Sequence, residues 1–205
     1  MGSWFLVRPP RLMRWLYSEA IFRKDEGSKT VFITFDDGPS PESTPTILDI
    51  LREHGAMATF FLLGHNAENQ PELVDRIRKE GHSIANHGYK HLDGWSTSLS
   101  AYKANTELGK KAVKSNIFRP PYGRLGYLQY LKLKRTEKIV FWDVISGDFD
   151  TTLSPERVYK NVVNNVRNGS VIVMHDSRKA LPNVKKSLGR IITELKNRGY
   201  YLDTL

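Results

Sequence analysis

The chain contains no cysteine. Disulfides and thiolate chemistry are therefore excluded, and any metal site must be built from imidazole, carboxylate and water. The absence does not fix a compartment. There is also no apolar run long enough for a membrane span. The apolar start, Trp4-Phe5-Leu6-Val7, is cut off by Arg8-Pro9-Pro10 and is too brief for a signal-peptide core. Met1-Gly2-Ser3 has the composition of a cloning scar, which leaves room for a native segment upstream. Cell envelope and cytoplasm both stay open. Acidic residues are the minority, 22 Asp and Glu against 31 Lys and Arg, for a formal charge of +9. Such an excess favours anionic partners. The basic residues are scattered, however, and no nucleic-acid-binding motif accompanies them, so nucleic acid is not an expected partner.

At 205 residues, 40% hydrophobic and 26% charged, the composition is that of one ordinary globular domain. Residues 1–28 are expected to form an N-terminal extension packing on a domain of residues 29–205. Within the extension, residues 11–17 mix basic and bulky apolar side chains. They read as a helical turn or two against the domain, with contact to a membrane surface as the alternative. From residue 30 onward, strand-like and helix-like segments alternate. Strands are predicted at 31–35, 58–63, 82–86, 117–119, 138–144, 170–175 and 200–202. Helices are predicted at 46–54, 71–80, 100–114, 125–135, 154–167 and 183–196. Gly55, Gly81 and Gly199 serve as helix stops, and Ser154-Pro155 opens a helix as N-cap and first position. This alternation predicts an α/β fold with a mainly parallel sheet. Chemistry-bearing residues fall at the C-terminal ends of several strands, which favours a distorted (β/α)7-type barrel over a doubly wound sheet.

Those residues lie in five places. Thr34-Phe35-Asp36-Asp37-Gly38 puts two adjacent carboxylates at a strand end, just before Gly38-Pro39. Neighbours inside a strand point to opposite faces, so both serve one site only where the pleat ends. Two bare carboxylates this close repel, and a cation beside one of them changes the balance. His87-Gly88-Tyr89-Lys90-His91 supplies two imidazoles four residues apart, which one helical turn or a coiled loop brings to one side. Asp37, His87 and His91 then form a two-nitrogen, one-oxygen set suited to zinc or another first-row divalent ion. Arg119-Pro120-Pro121-Tyr122-Gly123 is a rigid turn. Arg119 is suited to hold a carboxylate, and the Tyr122 N–H to face a developing oxyanion. The last two places are Trp142 to Phe149 and Val173-Met174-His175-Asp176. His175 becomes a general-acid candidate if Asp148 contacts it. His54, His65 and His82 show no pattern and read as surface, cap or core residues.

In their order these segments resemble the five motifs of the polysaccharide deacetylases with the NodB-homology domain, carbohydrate esterase family 4. The resemblance spans roughly residues 29 to 205. It implies a distorted (β/α) barrel, Asp36 as catalytic base, and Asp37 with His87 and His91 as metal ligands. It further implies that Arg119 orients Asp36, that Tyr122 lines an oxyanion hole, and that His175 is an acid tuned by Asp148. Three positions depart from the family pattern. Ile145 stands where an Asp is usual and Phe149 where a Trp is usual, so Ile145 cannot share a salt bridge with Arg119. Val173 replaces a usual Leu.

The expected activity is metal-dependent removal of N-acetyl groups from N-acetylglucosamine units of a glycan. The divalent ion is most simply zinc, and the protein is expected to be a monomer. Tyr89, Trp95, Tyr122 and Phe149 are the aromatic candidates for stacking on sugar faces. The alternatives are an O-acetyl-sugar esterase or a small cyclic amide or imide hydrolase on the same scaffold. More distant are a non-haem iron oxygenase, which leaves Asp36 and His175 without roles, and an inactive glycan-binding module.

Overall fold

A computed structural model of the chain describes residues 5–205; the reading of Met1-Gly2-Ser3 and the side chain of Trp4 lie outside the described residues. The sheet is built on β1 (Thr30–Asp36), a run of β-branched and aromatic residues that suits a strand buried on both faces. Parallel neighbours flank it. On one side lie β2 (Thr59–Leu62), β3 (Ser83–Asn86), β4 (Ile117–Phe118) and β5 (Lys138–Ile139); on the other lie β7 (Val171–His175) and β6 (Val144–Ile145). A last short strand, β8 (Tyr201–Leu202), pairs with the start of β1. The helices are α1 (Arg11–Leu16), α2 (Thr44–Glu53), α3 (Gly64–Asn69), α4 (Pro71–Lys79), α5 (Leu99–Val113), α6 (Tyr127–Leu133), α7 (Pro155–Val163) and α8 (Leu181–Asn197).

One sequence expectation is corrected. The apolar run 138–144 is two strands, β5 and β6, at opposite ends of the sheet. Residues 140–143 alone join them, and a link of that length reaches no more than roughly 17 Å. The two ends of the sheet are therefore close together, and the sheet curls into a distorted barrel. The N-terminal segment fills the gap between them. Ile21 bridges Val140 in parallel and Arg23 bridges Ser170 antiparallel, while the Ile145 N–H donates to the Val7 carbonyl. Helix α3 was not foreseen, because Gly64-His65-Asn66-Ala67-Glu68-Asn69 carries no apolar periodicity.

Strand alternation sorts β1 into two roles. Val31, Ile33 and Phe35 join the outer core with Ile47, Leu48 and Leu51 of α2 and Leu188, Ile191 and Leu195 of α8. Phe32 instead lies in the barrel interior with Phe61, Ala85, Val140 and Val171. Thr34 and Asp36 share the parity of Phe32, so Asp36 rises from the interior at the C-terminal mouth.

Candidate active site

Five loops meet at that mouth. Asp36 ends β1 in register with Phe61 of β2 and His175 of β7. Asp37 then adopts φ of 80°, a left-handed conformation uncommon outside glycine and more accessible to Asp and Asn than to most residues. This break in the pleat lets two consecutive carboxylates serve one site. The Asp37 carbonyl accepts from the Asn66 side chain on α3 (2.9 Å), which secures the turn.

Asp36 is buried and paired with Arg119. Arg119 Nη1 donates to Asp36 Oδ1 (2.7 Å) and to Thr34 Oγ1 (2.7 Å), and Nη2 donates to the Phe141 carbonyl (3.1 Å). The guanidinium also lies 3.9 Å from the centroid of the Phe61 ring, a cation–π contact. Thr34 Oγ1 passes its own proton to the Ile172 carbonyl (2.7 Å). Arg119 is thus fixed by hydrogen bonds, a carboxylate and a ring, and Nε alone finds no partner. With Ile145 in the place of an acid, the guanidinium beside Asp36 leans on Thr34, Phe141 and Phe61.

The imidazole pair is carried by a loop, not a helix. His87 follows β3, and Gly88 takes φ of 87°. The side chain of Asn105 on α5 bonds both the N–H and the carbonyl of Lys90 (2.8 Å each), and Asn86 Oδ1 accepts from the Gly88 N–H (2.8 Å). His91 Nε2 lies 3.1 Å and His87 Nε2 3.6 Å from the same oxygen, Asp37 Oδ1. The ligand atoms of the three residues all fall within 4.8 Å of one another. Several features fit a divalent ion there. Asp37 Oδ1 is buried without a hydrogen-bond partner. His87 Nδ1 donates to the Arg119 carbonyl (2.9 Å), which leaves Nε2 as the free lone pair. Burial pushes the His87 pKa down to about 4, so the ring is neutral and able to ligate at ordinary pH. Burial works against the Asp37 carboxylate, but the contact with His91 and the charges of His175, His87 and His91 outweigh it and hold its pKa well below the usual range. These are hard and borderline donors with no thiolate, a set that suits a first-row divalent ion.

Across the mouth, Asp148 receives two bonds from one residue. The His175 backbone N–H donates to Oδ2 and Nδ1 donates to Oδ1, both at 2.7 Å. Burial opposes the imidazolium, yet Asp148, with Asp37 and Asp36 behind it, raises the His175 pKa to about 9. Phe149 sets its ring edge-on to His175 at 5.0 Å and is itself backed by Phe5 at 5.3 Å.

The family follows from comparison with known proteins. The polysaccharide deacetylase model matches residues 23–137. The chain belongs to that family. A peptidoglycan-N-acetylglucosamine deacetylase of Bacillus cereus is 33% identical over 184 residues, 86% of each chain. A chitooligosaccharide deacetylase of Sinorhizobium fredii is 30% identical over 208 residues, 92% of this chain and 96% of that protein. The solved structure of a peptidoglycan N-acetylglucosamine deacetylase in complex with a naphthyl-substituted N-hydroxybenzamide superposes with a TM-score of 0.88 at 33% identity, covering 96% of this chain and 95% of that one. The distorted barrel of carbohydrate esterase family 4 and the assignment as a hydrolase of the polysaccharide deacetylase type both rest on these likenesses.

The deacetylase mouth is open to solvent on one side. Tyr122 adopts φ of 58°, and its exposed ring meets His91 edge-on at 4.3 Å. Arg124 lies over the rings of both Trp95 (5.0 Å) and Tyr122 (5.8 Å) and ties Trp95 to the same rim. Tyr89 is set apart from this group: its hydroxyl donates to Glu68 (2.8 Å) and its ring faces His65. His82 is a buried core residue with both ring nitrogens unpartnered, and burial lowers its pKa.

One residue had no assigned role in the sequence. Asp176 is fully buried, its pKa pushed up by burial to about 7. It accepts from Ser43 Oγ (2.6 Å) and Thr44 Oγ1 (2.5 Å), while its N–H donates to the Asp36 carbonyl (2.7 Å). Thr44 Oγ1 also accepts from the Ser40 N–H (2.8 Å). The loop carrying His175 is therefore stitched to the loop carrying Asp36 and Asp37. Gly38 permits the approach, because a Cβ there would sit 2.2 Å from Asp176 Oδ2.

If Asp37, His87 and His91 hold the ion, a His87→Ala/His91→Ala variant should be purified without metal and without activity. Full metal occupancy of that variant by elemental analysis would sink the assignment.

Proposed function

We propose that the protein is a metal-dependent N-deacetylase acting on N-acetylglucosamine units of a glycan. One observation carries this reading: the Asp36–Arg119 pair and the Asp148–His175 pair end adjoining strands beside the Asp37, His87 and His91 cluster. A divalent ion held by those three residues supplies Lewis acidity toward a carbonyl oxygen and toward water.

The protein groups divide the remaining work. Asp36, fixed by Arg119, removes a proton from the attacking water. The water oxygen bonds to the acetamide carbon, and charge develops on the carbonyl oxygen. The Tyr122 N–H is the donor that faces it. The C–N bond then breaks, which requires a proton on nitrogen, because an amide anion is a poor leaving group. His175 gives that proton from its unpaired ring nitrogen, with Nδ1 committed to Asp148. An imidazolium with a pKa near 9 is still protonated at neutral pH, which suits the departure of an amine. The products are acetate and a free amino sugar.

The test is acetate release from chitooligosaccharides, peptidoglycan fragments and acetylated xylan, with and without chelator. Release from the first two that stops with chelator supports the reading. Release from acetylated xylan alone would transfer the activity to O-acetyl esters.

The exposed rim formed by Tyr122, Trp95 and Arg124 also sets an expectation for substrate length. A shallow site gathers binding energy from neighbouring sugars, and such remote contacts raise turnover as well as affinity. Catalytic efficiency should rise from the monosaccharide to a tetramer or longer. A flat or falling trend along a chain-length series points instead to a closed pocket for a small amide.

A further inference from the structure

Helix α1 presents apolar side chains on two faces. Met13 and the following Tyr17 pack on the aromatic cluster of Phe22, Tyr130 and Phe141. Leu12, Trp15 and Leu16, at spacings of three and four, form the other face and point to solvent, with Trp15 73% and Leu12 64% exposed. Leu6, just upstream, is 61% exposed. A helix of six residues is far too short to form alone. It is held by its inner face and by the ion pair of Arg14 with Asp143. Among the described residues, the outer stripe is thus an ordered apolar surface with nothing packed on it.

Basic side chains predominate around the stripe, with Glu19, paired to Lys134, as an exposed acid at its edge. Residues 5–18 include Arg8, Arg11 and Arg14 and no acid; residues 117–136 include Arg119, Arg124, Lys132, Lys134 and Arg135 and no acid. The two segments adjoin through α6. The Tyr17 and Tyr130 rings meet at 4.9 Å, and the Glu19 N–H donates to the Tyr130 hydroxyl (3.0 Å). Some of these cations are committed: Arg14 to Asp143, Lys134 to Glu19, Arg124 to Asp93 and Arg119 to Asp36. Arg8, Arg11, Lys132 and Arg135 are exposed and make no ion pair among the described residues. Helix α6 adds two more exposed apolar side chains, Tyr127 and Leu128.

We propose that this face docks the protein on an anionic lipid surface. Leucines and a tryptophan entering the headgroup boundary, with arginine and lysine at the phosphates, match the chemistry of an interfacial helix. A second copy of the chain is the weaker fit, because a two-fold contact through the stripe brings its own arginines together. A short segment after Tyr122 leads into α6, so docking holds the catalytic mouth beside the membrane, where it meets glycan strands lying next to the lipid. The docking proposal itself does not depend on which glycan is cleaved.

Co-sedimentation with vesicles tests it. The intact protein is expected to bind vesicles of phosphatidylcholine with phosphatidylglycerol and to bind pure phosphatidylcholine weakly. A Leu12→Ser/Trp15→Ser/Leu16→Ser variant should lose at least about tenfold in affinity for the mixed vesicles. An Arg11→Glu/Lys132→Glu variant, which leaves the stripe intact, should lose the preference for anionic lipid. Both variants alter exposed side chains and should keep their turnover on soluble chitooligosaccharides. Failure of the intact protein to bind mixed vesicles, or equal binding by the serine variant, overturns the proposal. So does a dimer seen by analytical ultracentrifugation that the serine variant abolishes, since it assigns the face to a second copy.

Discussion

Replacing Asp36 by Asn is expected to leave the metal in place and to cut turnover by roughly a hundredfold or more, the usual scale for a positioned general base. Replacing Asp37 by Asn should instead weaken the metal itself. The neighbouring positions separate because their surroundings do. Asp36 Oδ1 is taken up by Arg119 at 2.7 Å and lies in the barrel interior with Thr34. Asp37 Oδ1 faces the two imidazole nitrogens and accepts no hydrogen bond. Asn at 36 keeps an acceptor for Arg119 but removes its counter-charge. Breaking a buried ion pair outright costs about 3–5 kcal/mol. The retained hydrogen bond should keep the loss at the low end, and a thermal melt of the variant separates a catalytic loss from an unfolded sample. Metal content and turnover measured on the same preparations decide the matter. Equal metal loss in both variants would mean that the two aspartates do not have distinct roles.

The parts of the site legible in the sequence are those set by short-range rules. A β-branched and aromatic run that stops at Asp-Asp-Gly-Pro announces a strand end with two carboxylates, and the backbone break at Asp37 is what lets both face one site. The four-residue spacing of His87 and His91 predicted that they converge, although a loop stapled by Asn105 does what a helical turn would have done. Ser154 caps α7 through the Arg157 N–H and Pro155 opens it, as their residue types require. What stayed hidden depends on contacts between distant segments. The apolar run 138–144 reads as one strand because periodicity cannot show that its halves pair with opposite edges of a curled sheet. Thr34 looks like any strand threonine until Arg119 is seen to bond it. Asp176 carries no signal of its own, since its partners Ser43 and Thr44 come from another loop. The backing of Phe149 by Phe5 joins residues far apart in sequence, which local patterning does not reveal.

Asp148→Asn should move the alkaline limb of the pH–rate profile to lower pH, and His175→Ala should cost about a hundredfold or more in turnover. The sign follows from which form of His175 works. A general acid acts while protonated, so activity falls as pH rises through its pKa. Burial alone would lower that pKa and switch the acid off near neutrality. The Asp148 carboxylate, at 2.7 Å from Nδ1, overcomes burial and lifts it to about 9. Asn in its place keeps the size of the side chain and removes the charge. The imidazolium then loses its principal stabiliser and gives up its proton at lower pH. Asp36 and Asp37 still favour the cation, so the limb should shift without collapsing entirely. A residue that only holds the fold would reduce turnover equally at every pH. The profile therefore distinguishes tuning of the acid from support of the loop, through the bond from the His175 N–H to Asp148 Oδ2. An alkaline limb unmoved in Asp148→Asn, with His175→Ala still active, would remove His175 from the chemistry.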